Sequence, residues 1–408
     1  MDNLNSEKES EFRGRKLLIF ASALGLSTGV TATMFYSLGA FIPPLEREFG
    51  WDRGNISLAV TFLTVGLFLS GPFVGKLCDV IGAAKVGALS LLFYAVVIAT
   101  LPIYVESILV FWVVYFLIAV IGAGSTPIVL VRPVSTLFDK HRGLALGIAL
   151  TGAGLAGFWV PNLVSYVTAS AGWRAAYVML AATALVAAPV VWIGFRHAET
   201  GQSVVQSNVS TGLSAKEARG TLIYWLMTLM ALSMALGIAG VVVHLIPFLT
   251  DLGDSAANAA QTASIIGLSS VVGRIAVGLM LDRFGATTVS MAILTLAAIG
   301  IVLLWLTGLQ FAIIAVIFLG FAAGAEIDLL AYLTARFFGR RSYGAIYGWQ
   351  YSVFALGYGF SPFLVGRLRD YFGSYDIPFL ASATSMLIAA AVALMIGRAH
   401  RGNPEHAH

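Results

Sequence analysis

Gly75-Lys76-Leu77-Cys78-Asp79-Val80-Ile81-Gly82 returns 203 residues later as Gly278-Leu279-Met280-Leu281-Asp282-Arg283-Phe284-Gly285. Each copy closes a long apolar run with a carboxylate framed by glycines. Ile42-Pro43 is echoed by Ile246-Pro247 at an offset of 204, and Gly143, Gly147 and Gly172 by Gly344, Gly348 and Gly373 at 201. A parallel duplication of one structural unit accounts for the whole set.

What is duplicated follows from the runs on either side. The chain has 408 residues, 59% hydrophobic and 11% charged, and its mean hydropathy is +0.89, so a water-facing globular surface cannot be assembled from it. Roughly 20 apolar residues in a helix cross a hydrocarbon layer about 30 Å thick. Twelve such runs are predicted, at 17–42, 55–76, 84–104, 108–136, 142–168, 174–195, 221–249, 257–281, 286–308, 310–337, 343–366 and 375–398. The polar stretch 196–220, rich in Ser, Gln, Asn and Thr, reads as a linker between two six-helix bundles, 17–195 and 221–398, with cytoplasmic tails at 1–16 and 399–408. No cleavable signal peptide is expected, because residues 1–16 are polar and the run from Leu17 to Ile42 is too long for one.

Basic residues fix an orientation. With both termini inside, seventeen Lys and Arg fall on the inner side and five (Arg47, Arg53, Arg174, Arg367 and Arg369) on the outer side, the bias of an inner-membrane protein. The pI near 9.1 therefore reports orientation, and nucleic acid is not an expected partner; lipid is. Cys78 is the single cysteine, which excludes an internal disulfide and a Cys-rich metal site. The loops hold no Ser/His/Asp arrangement, nucleotide loop or metal-ligand spacing, so neither an enzyme nor a cofactor or metal is expected, and any driving force comes from gradients.

Charges inside the spans are the functional candidates, since each costs several kcal/mol unless paired or hydrated. Arg274, in the eighth span, has Ser270 and Gly267 one and two turns back, a small polar stripe able to line a cavity. Its guanidinium can hold a carboxylate through two parallel hydrogen bonds, or it can be locked in an internal ion pair. Glu326 and Asp328 share the tenth span but point about 200° apart. Asp328 is expected on the aqueous pathway and Glu326 in an interhelical bond. A carboxylate beside Arg274 exchanges its proton according to whether an anion occupies the arginine, which is a workable coupling device or, alternatively, a permanent structural bridge. His244 follows Ser233, Gly237 and Gly240 on one face and is a candidate for the outer vestibule or a packing residue. Thr33, Tyr36, Asn162, Gln350, Tyr351 and Tyr358 offer uncharged cavity contacts. Asp79, Asp282, Arg132 and Arg142 lie at the inner ends of spans as gating candidates. Gly75, Gly82, Gly278 and Gly285 are expected to let backbones approach closely.

The repeated G-x-x-x-D-x-x-G resembles the loop signature of the major facilitator superfamily, over the whole chain. The resemblance implies an all-α membrane fold of two six-helix bundles working by alternating access. Phe138-Asp139-Lys140-His141-Arg142-Gly143-Leu144-Ala145-Leu146-Gly147, leading into Gly152-Ala153-Gly154-Leu155-Ala156-Gly157, is similar to the entry of the fifth helix in monocarboxylate porters and oxalate/formate antiporters. In those relatives an arginine at the position of Arg274 is implicated in carboxylate binding. Here the eleventh span lacks the lysine that oxalate exchangers use. Ile118 stands where drug/proton antiporters keep an arginine, and Gly152 to Gly157 lacks their proline. The implied function is secondary transport of a small monocarboxylate with protons. Organic-anion exchange and a non-transport receptor or scaffold are the alternatives.

Overall fold

A computed structural model describes residues 12, 14–138, 142–199, 212–339 and 341–402. Its helices are α1 (Lys16–Thr28), α2 (Val30–Phe49), α3 (Arg53–Ile81), α4 (Ala83–Tyr104), α5 (Ile108–Gly122), α6 (Pro127–Leu130), α7 (Arg132–Leu137), α8 (Arg142–Glu199), α9 (Ala215–Arg219), α10 (Leu222–Asp251), α11 (Ala256–Arg283), α12 (Ala286–Thr307), α13 (Ala312–Phe338), α14 (Tyr343–Phe372) and α15 (Asp376–Gly402). Among the described residues, ten stretches are long and apolar enough to cross a membrane. One of them, within α8, is bent at Gly172 (φ 84°, ψ 163°) and makes two crossings. The stretches also leave out α14, whose Tyr, Gly, Ser and Gln content dilutes its hydropathy. With both counted, twelve crossings stand in an all-α membrane fold.

Two compact units divide the chain: Met1–Phe41 with Phe62–Gln206, and Ile42–Thr61 with Ser207–His408. The hairpin Ile42–Thr61 therefore lies with the second unit, not the first. In the first unit α8 packs on α1 and α4. In the second, α10 packs on α14 and α15, α11 on α13, and α12 on α13 and α15.

The first run is two helices rather than one, and the fourth is broken as well. An interrupted helix inside lipid must satisfy its freed backbone groups from neighbours. Here the second break serves the first, as Val30 N donates to Ser125 Oγ at 3.0 Å, while Ser125 Oγ donates to Gly122 O of its own break at 2.7 Å. Ser90 Oγ donates to Ile121 O and accepts from Gly124 N at 3.0 Å. Gly29 has to be glycine, because a Cβ there would lie 2.3 Å from Ser125 O.

The duplication is also visible in the packing. A Cβ on Gly66 of α3 would lie 2.7 Å from Ala119 Cβ of α5, and one on Gly273 of α11 would lie 2.6 Å from Phe321 Cα of α13. Membrane helices gain no hydrophobic force from meeting each other, so backbone proximity at small residues supplies the contact. The loop-signature glycines do not serve this purpose: a Cβ at Gly75 or Gly278 would meet nothing within 4 Å. That expectation is corrected, since those positions lie beyond the packed stretch of their helices. Gly82 is needed instead for its backbone, at φ 87°.

The region 196–220 is only partly a linker. Residues up to Glu199 continue α8, and α9 is capped by Ser214, whose Oγ accepts from Glu217 N at 3.2 Å while Glu217 Oε2 accepts from Ser214 N at 2.8 Å. Those hydrogen bonds hold the Glu217 carboxyl below the usual carboxylate range.

Candidate functional site

In the second unit, three glycines draw α11 and α13 together. A Cβ at Gly324 would lie 2.0 Å from Ser270 O, one at Gly320 2.5 Å from Ser269 Cβ, and one at Gly273 2.6 Å from Phe321 Cα. That proximity lets Arg274 reach across: its Nε lies 3.0 Å from Asp328 Oδ2 and donates to Gly324 O at 3.3 Å. The pair lies among apolar helices and is still reachable, with 24% of the Arg274 side chain and 37% of that of Asp328 accessible. An arginine whose Nη groups are not all committed, with an exchangeable carboxylate partner, can trade that partner for a carboxylate from outside. Ser270 does not line a cavity as expected: it is buried in the α11–α13 contact, with Oγ donating to Gly267 O at 2.8 Å.

Glu326 is on the other face of α13, buried among Ala322, Leu329 and Leu330. Its Oε1 has no hydrogen-bond partner among the described residues, so the expected interhelical bond is not made there. Gln350 is turned away from accessible space as well. It is fully buried, and its Oε1 accepts from Thr334 Oγ1 at 2.7 Å. Tyr351 is 41% exposed and Tyr358 is half-buried. Both belong to a row of rings on α14 in which Tyr347, not singled out from sequence, stands close enough to Asp328 and Arg274 to feel both charges.

His244 is a satisfied core residue rather than a vestibule group. It is fully buried, with Nδ1 3.0 Å from Tyr375 Oη and Nε2 3.0 Å from both Ser57 Oγ and Pro362 O. Above it lies an ion cluster that sequence reading left as outer-side charges. Arg53 grips Asp251 with two hydrogen bonds of 2.6 and 2.7 Å, Glu46 at 3.0 Å, and Tyr375 Oη at 3.0 Å. Arg369 adds contacts to Asp251 at 3.3 Å and Asp370 at 3.7 Å, and Asp370 Oδ2 accepts from Gly54 N at 2.7 Å. This cluster ties the Ile42–Thr61 hairpin to α10 and α14. Its only sequence signal was that its five charges all lie within four residues of the ends of apolar runs.

In the first unit Thr33 is fully buried, bonded to Gly29 O at 2.8 Å and Tyr94 Oη at 2.5 Å, so it is a packing residue and not a cavity contact. Tyr36 is half-buried against Phe35. Asn162 commits its Nδ2 to Phe158 O of its own helix at 3.0 Å. The structure does bring together two gating candidates, as Arg132 Nη2 donates to Asp79 Oδ1, joining the end of α3 to the start of α7. The pair is well exposed, and exposed pairs contribute at most about 1 kcal/mol. The side chains of Asp282 and Arg142 lie outside the described residues. Among the described residues, no group of three or more His, Cys, Asp and Glu could hold a metal.

The family model described as Major Facilitator Superfamily matches residues 24–362. An uncharacterized MFS-type transporter, YcxA, of Bacillus subtilis is 28% identical over 287 residues, covering 68% of this chain and 67% of that protein. Monocarboxylate transporter 12 of Mus musculus is 26% identical over 291 residues. The match covers 63% of this chain and 60% of the mouse protein, less than two thirds of that relative's length. A solved structure of a bacterial homolog to the human lysosomal transporter Spinster, inward-facing and unoccupied, superposes with a TM-score of 0.72. It covers 94% of this chain and 97% of that one at 16% identity, a likeness of fold alone.

Proposed function

The chain belongs to the major facilitator superfamily, and on that footing we propose that it is a secondary active transporter moving a small organic anion of the monocarboxylate type, with protons, by alternating access. The membrane is the inner membrane, with both termini cytoplasmic, as the bias of basic residues supports. The observation that carries the reading is the Arg274–Asp328 pair, a partly accessible cation inside an apolar helix whose counter-ion is itself a carboxylate. A substrate carboxylate competes with Asp328 for the guanidinium. When it wins, Asp328 loses its counter-charge and takes a proton, so anion and proton load together and leave together. The monocarboxylate transporter name of one relative agrees with this substrate class.

The test is uptake of radiolabelled monocarboxylates into proteoliposomes, with and without an inward proton gradient. The proposal expects gradient-stimulated uptake by the wild type and its loss in Arg274→Gln. Carboxylate uptake unchanged by Arg274→Gln refutes the role given to the arginine, and no carboxylate uptake by folded, inserted protein refutes the function.

A further inference from the structure

Resting on the reading that Arg274 takes the carboxylate, we propose that the ring ladder of α14 is a stacking subsite, and that the favoured substrate is an aromatic monocarboxylate. Tyr343, Tyr347, Tyr351, Phe354 and Tyr358 recur every three or four residues, so they occupy one helix face. Neighbouring ring centroids lie 5.4, 5.9, 6.4 and 5.5 Å apart, and the first pair is nearly parallel at 8°. A band of tyrosines at a membrane–water interface would occupy one level. This row instead climbs about 22 Å along the helix axis at the α-helical rise.

The row runs from the partly accessible Tyr343, Tyr347 and Tyr351 past the buried Phe354 to the partly accessible Tyr358, so its first three rings are the reachable ones. The ladder helix packs on α13, which carries Asp328, and Thr334 Oγ1 of α13 donates to Gln350 Oε1 at 2.7 Å one turn from Tyr347; Tyr347 also lies within the field of both Arg274 and Asp328. Tyr351 is 41% exposed. Gly344 and Gly348, one residue after Tyr343 and Tyr347, face empty space, for a Cβ at either would meet nothing within 4 Å. Among the described long helices, the one that carries the ladder is the one too polar to count as a candidate membrane span by hydropathy. A short aliphatic acid would leave those ring faces uncovered, whereas a substrate with its carboxylate on Arg274 and a planar ring on Tyr347 and Tyr351 would cover them. Removing one stacking partner lowers apparent affinity about 2- to 10-fold.

Pyruvate and phenylpyruvate share one head group and differ by a phenyl ring, so their uptake into proteoliposomes containing the full chain isolates the ladder. The wild type is expected to favour phenylpyruvate by about 10-fold or more in competition. Tyr347→Leu/Tyr351→Leu, whose folding is checked by its melting temperature and monodispersity in detergent, is expected to lose that preference. Tyr347→Phe/Tyr351→Phe, which keeps the rings and drops the hydroxyls, is expected to retain it. Arg274-dependent uptake with no preference in the wild type, or with a preference that survives in the leucine variant, overturns the subsite and leaves the transport reading standing. Uptake independent of Arg274, or no uptake of either acid, overturns the transport reading and the subsite with it.

Discussion

Neutralising one member of the Arg274–Asp328 pair is expected to destabilise the second unit, and neutralising both is expected to restore stability without restoring transport. At 3.0 Å and an effective dielectric near 20, the gross attraction is about 5 kcal/mol, most of it offset by the desolvation of two partly buried ions. Asp328→Asn leaves a guanidinium inside an apolar helix with no counter-ion. A central charge costs about 2.5–3.5 kcal/mol, and the 24% accessibility of Arg274 lowers that to roughly 1–3 kcal/mol. Arg274→Gln is expected to cost less, because a carboxyl left alone can take a proton while a guanidinium cannot shed one. Arg274→Gln/Asp328→Asn carries neither charge and stays within about 1 kcal/mol of the wild type. In detergent, thermal unfolding of the four proteins forms a double-mutant cycle. A unit of this size shifts about 2–4 °C per kcal/mol, so the coupling reads as a recovery of several degrees in the double variant. A double variant that falls by the sum of the single losses refutes the pairing.

The fold was legible because the lipid solvent imposes length and apolarity on each crossing, and because the repeated loop signature survives in both halves. Which faces are buried was not. Phe73, at 73% exposure, and Leu26, at 1%, are equally apolar, since in a membrane the outside of a helix is as greasy as its inside. Helical counting told Asp328 from Glu326, because one helix sets their angular separation. It could not tell that Thr33 meets Tyr94 or that His244 meets Tyr375 and Ser57, because those partners lie 61 to 187 residues away in sequence, beyond the reach of any single helix's periodicity. The breaks at Gly29 and Ala123–Ser125 were hidden for the same reason: the partners that satisfy them, Ser125 for Val30 N and Ser90 for Gly124 N and Ile121 O, come from other runs of the chain. The ladder was partly legible, as Tyr351 and Tyr358 were marked, but Tyr347 gained its meaning only from its closeness to charges on two other helices.

Three further outcomes follow from the packing. Gly324→Ala is expected to cost about 1–3 kcal/mol, because its Cβ would lie 2.0 Å from a backbone oxygen; Gly278→Ala, facing open space, is expected to stay within about 0.5 kcal/mol, and equal melting shifts would contradict this. Arg53→Gln leaves the partly exposed Asp251 and Glu46 with Arg369 as their remaining cation and is expected to destabilise by about 1–3 kcal/mol, seen as a lower melting temperature and reduced folded yield on size-exclusion chromatography in detergent, with both unchanged arguing against the cluster. Ser125→Ala removes the acceptor for Val30 N and is expected to cost about 1–3 kcal/mol, read as faster amide exchange at Val30, and unaltered exchange would show that the break is satisfied in another way.

Proton movement driven by substrate tests the central claim most directly. Proteoliposomes holding a trapped pH dye, clamped at zero membrane potential, would be given an inward gradient of a monocarboxylate and compared with protein-free vesicles. The account predicts acidification of the lumen in excess of the protein-free control for the wild type and none in excess for Arg274→Gln. Carboxylate entry through the wild type without excess acidification would contradict proton coupling, and excess acidification undiminished in Arg274→Gln would contradict the arginine's place in it.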